Sequence, residues 1–497
     1  MNFFHIFEND VYATLPELYL VLSTLVLLLF GVFYSTSRRH GTPSVMQTTT
    51  WLGLLCLFCT FCVLQNLPFS SMTYMYTTLI MDPFGLFFKS LVLLGTGFSL
   101  LISLQYFRSE NLRDFEYNLL VLLSTCSMLL LVSAHDLISM YLAVEMQSLC
   151  LYVLAASKRE SEFSTEAGLK YFLLGAFSSG ILLFGCSILY GLTGLTNFDS
   201  FAKLFSGLGV SIVEQSFLSV GILLIAVGFL FKLAAAPFHF WSLDVYEGAP
   251  TSVTAFFSIA PKLAVMAVFL RIFLVSFYDF LVSWQSVLIL SSLASLIIGA
   301  FGAVTQTRIK RLLAYSSIGH TGYVLIGVAS GTVEGLQAVL IYLGIYCITM
   351  INVFAGVLAL RDQRTGYNVK YIEDMKMLSK SQPLLAFSFT LVLFSMAGIP
   401  PMAGFCSKFY LFFAALGASM YPLAIFGILS SMLSCFYYLR IIKTMYFDQT
   451  GQPLEVFQMD HEKSWVIAWT TFFTAFFFLY PSVIFLWAQK VALLFLG

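Results

Sequence analysis

The sequence predicts an all-α polytopic membrane protein with about fourteen membrane-spanning helices, and three observations carry that prediction. Of the 497 residues, 59% are hydrophobic and only 10% are Asp, Glu, Lys or Arg, with a mean hydropathy of +0.89. A water-soluble domain carries about 25% charged residues, so this chain cannot clothe a water-facing surface. The apolar residues come in runs near the ~20 that a helix needs to cross a bilayer, divided by short clusters of charge and turn residues. Most Lys and Arg fall on alternate connections, as the inside-positive bias of multi-pass proteins requires. Composition also excludes: the net charge is zero, without the basic face that nucleic-acid partners need. Nothing in the cysteine spacing asks for a disulfide framework.

The first three runs, 15–35, 45–65 and 79–105, form an N-terminal group within residues 1–110. The first reads as a retained span. The residues before it hold Glu8 and Asp10, its own start holds Glu17, and no Lys or Arg precedes it, unlike a signal or transit peptide. The second run carries Cys56, Cys59 and Cys62. Their spacing suggests an iron–sulfur run, but they sit inside an apolar helix with no loop to wrap a cluster, so they read as packing residues.

Five further runs follow at 117–134, 136–156, 166–191, 217–241 and 251–275, and five more at 284–304, 309–330, 335–360, 383–416 and 421–446. A last one lies at 464–489. Pro237 interrupts the seventh span; Gly398, Pro400 and Pro401 interrupt the twelfth. The connections are too short to bury a second core, so residues 1–497 read as one membrane domain. Spans 4–8 (117–275) and 9–13 (284–446) read as two five-helix repeats, because a helix break beside a lysine occurs once in each, five spans apart. If the N-terminus is outside, the inward loops hold Arg38, Arg39, Arg108, Arg113, Lys158, Arg159, Arg308, Lys310, Arg311, Arg361, Arg364, Lys370, Lys376, Lys380, Arg440, Lys443 and Lys463. The outward ones hold only Lys203, Arg271 and Lys490. Both ends are therefore expected on the outer side.

The residues that suggest function are ionisable groups inside spans. A lysine at bilayer depth costs about 2.5–3.5 kcal/mol even on a lenient insertion scale. Lys89 and Lys170 lie fairly near helix starts, where reaching the headgroups competes with a functional role; Lys232, Lys262 and Lys408 lie deeper. Glu145 falls mid-span in DLISMYLAVEMQSLCLYVL. Two roles compete for it: a protonated packing group, or one half of a separable Glu–Lys pair. Burial disfavours charge on either partner and pairing restores it, so opening and closing such a pair changes proton occupancy. Broken helices expose carbonyls and amides that only protein or water can satisfy, and they mark ion pathways in many transporters. A plain proline kink is the competing reading at each break. His320, mid-span beside Ser316, Ser317 and Thr321, is either a hydrogen-bonded packing group or a relay titrating near neutrality. His239, just after the seventh-span break, has the same two readings. No glycine-rich nucleotide fingerprint follows a strand-like run.

The stretches VGFLFKLAAAPFHFWSLDVYEGAPTSVTAFFSIAPK (227–262), KRLLAYSSIGHTGY (310–323) and AGIPPMAGFCSKFYLFFAAL (397–416) resemble the antiporter-like proton-channel subunits of respiratory complex I, the proton-pumping NADH:ubiquinone oxidoreductase. So does EMQSLCLYVLAASKRESEFSTEAGLKYFLLGAFSSG (145–180); the resemblance weakens over the first hundred residues and near 200–216. It implies fourteen helices in which the two five-helix repeats are inverted, with helices seven and twelve broken. By motif it makes Glu145 the helix-five glutamate, and Lys232, Lys262 and Lys408 the lysines of helices seven, eight and twelve. It makes Lys170 a helix-six lysine placed to meet the glutamate. It further implies no cofactor on this chain, with NADH, FMN, iron–sulfur clusters and ubiquinone on other subunits. The partners it implies are further membrane-arm subunits, antiporter-like ones among them, and lipids. The implied location is the mitochondrial inner membrane, with a bacterial plasma membrane or plastid thylakoid as alternatives. Stand-alone sodium/proton antiporters share these motifs.

Overall fold

In hydrocarbon every backbone N–H and C=O has to find a partner within its own segment, and the apolar runs accordingly become helices. The computed structural model describes residues 9–35, 45–67, 71–110, 115–207, 212–363, 366, 368–448 and 457–496. Arg38, Arg39, Arg113 and Arg364, counted among the inward charges, lie outside the described residues. The helices are α1 (Leu15–Ser35), α2 (Val45–Gln65), α3 (Pro83–Ser103), α4 (Glu116–Ser133), α5 (Leu137–Ala155), α6 (Glu162–Thr193), α7a (Ile212–Lys232), α7b (Phe240–Gly248) and α8 (Thr251–Arg271). There follow α9 (Leu281–Val304), α10 (Ile309–Ala329), α11 (Val333–Ala359), α12a (Pro383–Ala397), α12b (Ala403–Gly417), α13 (Tyr421–Tyr446), α14a (His461–Phe476) and α14b (Ser482–Leu496). Among the described residues, 12 helices are long and apolar enough to cross a membrane, and the bent α14 pair makes up to 13. The shorter apolar helices α12a and α12b occupy the remaining expected run.

Four details differ from the sequence reading. The third span begins at Pro83 rather than 79, because Leu79–Met81 forms β2, paired antiparallel with β1 (Met72–Tyr74). Asp82 ends that hairpin and caps α3, accepting a hydrogen bond from Gly85 N–H at 2.8 Å. The long connection after α6 contains a surface helix, Phe198–Gly207, whose buried Phe198, Phe201 and Phe205 recur at helical spacing. The last run is not one straight span: α14 bends by 85° at Tyr480–Pro481, where the proline has no N–H to continue the ladder. Arg271, expected on an outer loop, is buried at the end of α8, 3.0 Å from Asp82.

The chain forms two compact units. The first holds Met1–Leu233, Ile259–Trp284 and Leu494–Gly497; the second holds Ala234–Ser258 and Gln285–Leu493. In the first, α6 and α7a approach closely at small residues: a Cβ on Gly185 would lie 2.9 Å from the carbonyl oxygen of Gly221. Small side chains are how membrane helices bring dispersion contacts to bear without a hydrophobic driving force. In the second, α10 and α11 are the inner helices, each 89% buried over its most apolar stretch.

Candidate functional site

The first unit contributes Glu145, Lys170, Lys232 and Lys262. Lys232 is the last residue of α7a. The helix stops there because Leu233 makes the final hydrogen bond, to Phe229 O at 2.9 Å, and Ala234 takes a left-handed conformation at φ 59°, three residues before Pro237. The Lys232 Nζ atom is shut away from solvent with no hydrogen-bond partner among the described residues. It lies 5.9 Å from the ring centroid of Tyr152. Glu145, on α5, accepts a hydrogen bond from Ser148 Oγ at 3.3 Å through Oε2, while its buried Oε1 is unpartnered. The two groups are therefore not hydrogen-bonded to each other. Lys262 is buried at 5% exposure on α8. Lys170 is not brought to Glu145. It pairs with Glu166 at 2.8 Å, one turn back on α6, and its side chain is 43% exposed. Gly168 of α6 lies against Ala156, just past the end of α5, so Lys170 sits about three turns of α5 away from Glu145.

The second unit contributes His320 and Lys408. At the second break Gly398 adopts φ 87°, a conformation cheap only for glycine, and Pro400 and Pro401 end any continuation. The last carbonyls of α12a thus lose their intrahelical donors, and Lys408 replaces them. Its Nζ donates to Met396 O at 2.8 Å and to Ala397 O at 3.1 Å. A cation at a helix C-terminus also meets the negative end of its dipole. The Lys408 ammonium lies 4.9 Å from the Tyr323 ring centroid. His320 Nδ1 is 2.6 Å from Tyr342 Oη and its Nε2 is 3.5 Å from Tyr438 Oη. A crevice of about 10 Å³, room for about one water molecule, lies among His320, Tyr323, Lys408, Ser430, Ser434 and Tyr438. Its lining of hydroxyls, imidazole and ammonium suits a chain of exchangeable protons. His239 is buried and stacks on Phe240, ring centroids 4.6 Å apart.

Sequence reasoning missed the tyrosines at both sites. The one signal for them is their recurrence, Tyr342 with Tyr346 one turn apart on α11, beside the helix that carries His320. It also missed a buried pair: Lys89 Nζ meets Glu17 Oε1 at 2.5 Å, both side chains 4% exposed. Lys89 does not snorkel; it finds a counter-charge on α1. Outside the spans, Lys158 is partly buried, which disfavours its charge. The Glu110 carboxylate at 2.6 Å outweighs this and holds the ammonium above the usual lysine range.

A membrane helix interrupted beside a lysine, twice in one all-helical chain, marks an antiporter-like membrane protein. The comparisons with known proteins agree. A family profile described as NADH:quinone oxidoreductase/Mrp antiporter, TM, matches residues 134–434. The chain is 53% identical over 490 residues to NADH-ubiquinone oxidoreductase chain 2 of Marchantia polymorpha, covering 98% of this chain and 99% of that protein. It is 44% identical to NADH-quinone oxidoreductase subunit N of Rhodospirillum rubrum over 96% of each. A chain of respiratory complex I from Thermus thermophilus with bound aureothin shares the fold with a TM-score of 0.78 at 28% identity, over 95% of this chain and 98% of that one. The chain belongs to the family of NADH:quinone oxidoreductase and Mrp-antiporter membrane subunits.

Proposed function

We propose that this chain is a proton-translocating membrane-arm subunit of a respiratory NADH:ubiquinone oxidoreductase. The observation that carries the reading is the recurrence of one device: an apolar helix broken with a lysine beside the break, Lys232 at the first and Lys408 at the second. Such a lysine has chemistry only if its proton can leave, since a permanent ammonium there costs free energy with no return. Lys232 takes a proton from the inner side, its affinity set by the distance to Glu145. Lys262 and His320 carry the proton onward, and Lys408 releases it outward.

The chain works in the mitochondrial inner membrane with both termini on the outer side. Its partners are the other membrane-arm subunits, further antiporter-like chains among them. It performs no redox step itself; NADH, FMN, iron–sulfur clusters and ubiquinone are held by other subunits. High identity with an NADH-ubiquinone oxidoreductase chain over nearly the full length supports this reading above a stand-alone sodium/proton antiporter.

The test is native electrophoresis of solubilised membranes, staining for NADH oxidation and identifying this chain by mass spectrometry. It is followed by Lys232→Met in coupled membranes. The chain should run in the NADH-oxidising assembly, and the variant should lower the proton-to-electron ratio. An unchanged ratio sinks the proposal, and sodium-dependent proton flux without any dehydrogenase would establish the antiporter instead.

A further inference from the structure

A cavity of about 1140 Å³ opens in the first unit between α4, α5 and α6. Its walls change character from one end to the other. At one end stand polar side chains from the α3–α4 and α5–α6 connections and the start of α4: Glu110, Glu116, Ser157, Lys158, Arg159 and Glu160. Along α5 and α6 the lining turns apolar, through Val153, Leu169 and Phe172. These three are 56%, 63% and 47% exposed, so this part is a groove open sideways to the surroundings of the helices. For membrane-spanning helices those surroundings are hydrocarbon. From its first residue, Glu162, to Phe172, α6 rises about 15 Å. One leaflet contributes the same depth to a hydrocarbon core of ~30 Å. The groove is thus polar at one end and apolar over the depth of a single leaflet.

Acyl tails are as apolar as leucine, so the apolar part cannot choose between lipids; the choice falls to the polar end. There Lys158 and Glu110 neutralise each other at 2.6 Å. One cation, Arg159, and two carboxylates, Glu116 and Glu160, remain, and none of them makes an ion pair among the described residues. Beside them Ser157 Oγ is buried with no hydrogen-bond partner among the described residues, a costly state for a hydroxyl that no ligand or water meets. Basic pockets between membrane helices suit anionic lipids, but here a purely anionic headgroup would face two carboxylates for one guanidinium. A headgroup with both a phosphate and a primary ammonium matches the set. Its phosphate accepts from Arg159 and from the Ser157 hydroxyl, and its ammonium donates to Glu116 and Glu160. A quaternary ammonium has no N–H to donate.

We propose that this groove is a binding site for a phosphatidylethanolamine molecule. The tails lie against Val153, Leu169 and Phe172, and the headgroup sits among Glu116, Ser157, Arg159 and Glu160. The lipid fills a space that would otherwise admit water alongside α5 and α6. The site stands whichever ion the chain moves, because none of its residues belongs to the set assigned to transport.

The test uses the intact complex in phosphatidylcholine vesicles containing a trace of phosphatidylethanolamine with a photoreactive group on its acyl chain. After irradiation the labelled peptides are mapped by mass spectrometry, with unlabelled lipids added as competitors. Labelling is expected on α5 and α6 around Val153, Leu169 and Phe172. Unlabelled phosphatidylethanolamine should displace the probe about tenfold better than phosphatidylglycerol, cardiolipin or further phosphatidylcholine, the margin of one charge-assisted hydrogen bond. Arg159→Gln and Ser157→Ala should each weaken labelling, and Glu116→Gln combined with Glu160→Gln should abolish the preference over phosphatidylcholine. Equal displacement by all the lipids would reveal an ordinary boundary contact and overturn the proposal, as would stronger displacement by cardiolipin or phosphatidylglycerol. Labelling of a neighbouring subunit in place of these residues would mean that a protein segment fills the groove, which also overturns it. If Arg159→Gln does not assemble on native electrophoresis, Ser157→Ala decides, since it deletes a hydroxyl without a partner among the described residues. Unchanged labelling in that variant counts against the site, and weaker labelling supports it.

Discussion

The two broken helices use the same residue type in opposite ways. At the second break Lys408 is anchored: two carbonyls of α12a accept from its Nζ and an aromatic face lies beside it. At the first break Lys232 also sits at a helix end, yet its Nζ meets no acceptor among the described residues and lies 5.9 Å from the Tyr152 ring centroid. The difference follows from local sequence. Lys408 lies on the helix that follows its break, and its side chain reaches back to the exposed carbonyls of the preceding half. Lys232 lies on the helix that precedes its break, where side chains point towards the N-terminus and away from the helix's own last carbonyls. One lysine has become part of the backbone's hydrogen-bond accounting, while the other is left to answer to Glu145.

The contrast is most exposed to test by deleting each lysine in turn. Lys408→Met strands two buried carbonyls, each worth about 1–3 kcal/mol, and should lower the melting temperature and yield of the assembled complex. Lys232→Met removes an amine that had no partner and should assemble as the parent does. Equal losses of assembly would mean the two sites are alike after all. Next in size, Gly398→Ala places a side chain at φ 87°, with its Cβ 3.1 Å from Lys408 Cδ. We expect about 1–2 kcal/mol of destabilisation and a displaced lysine, visible as reduced transport at unchanged quinone binding. Tyr342→Phe removes the partner of His320 Nδ1, at a cost of about 1 kcal/mol in stability. It should slow transport more than it affects assembly; no change in rate would leave His320 as a packing group.

The smallest effect lies outside the spans. His135, between α4 and α5, is buried, which pushes its pKa down; Asp199 at 3.1 Å only partly opposes this. A base with a lowered folded pKa binds fewer protons than the unfolded chain, so stability should rise with pH up to about 6.5, the unfolded value, and fall on acidification below it. His135→Gln should flatten that slope in thermal melts taken across pH 5–7.

The spans and both breaks were legible because hydropathy and proline act locally: a run of twenty apolar residues or a missing N–H has its effect where it stands. The lysines were legible for the same reason, since charge in an apolar run is anomalous on its face. What escaped depends on a distant partner. Taken alone, Glu17 speaks only against a leader, and Lys89 is a residue near a helix start. Their meeting joins positions 72 apart in sequence. Arg271 was placed on a loop because Asp82, which draws it inward, lies 189 residues earlier. Lys170 was assigned to Glu145 by motif, whereas Glu166 on its own helix, one turn away, holds it. The Pro481 bend had a visible cause, but the apolar residues on both sides of it read as one run.

The stereochemistry of nitrogen gives the Lys408 anchor a further consequence. An ammonium has three N–H bonds, and the two that reach Met396 O and Ala397 O leave a third. A neutral amine keeps two N–H bonds and gains a lone pair. The helix end can thus stay capped in either protonation state, and only the third direction changes from donor to acceptor. A proton leaving Lys408 departs along that direction, with the backbone beside it undisturbed.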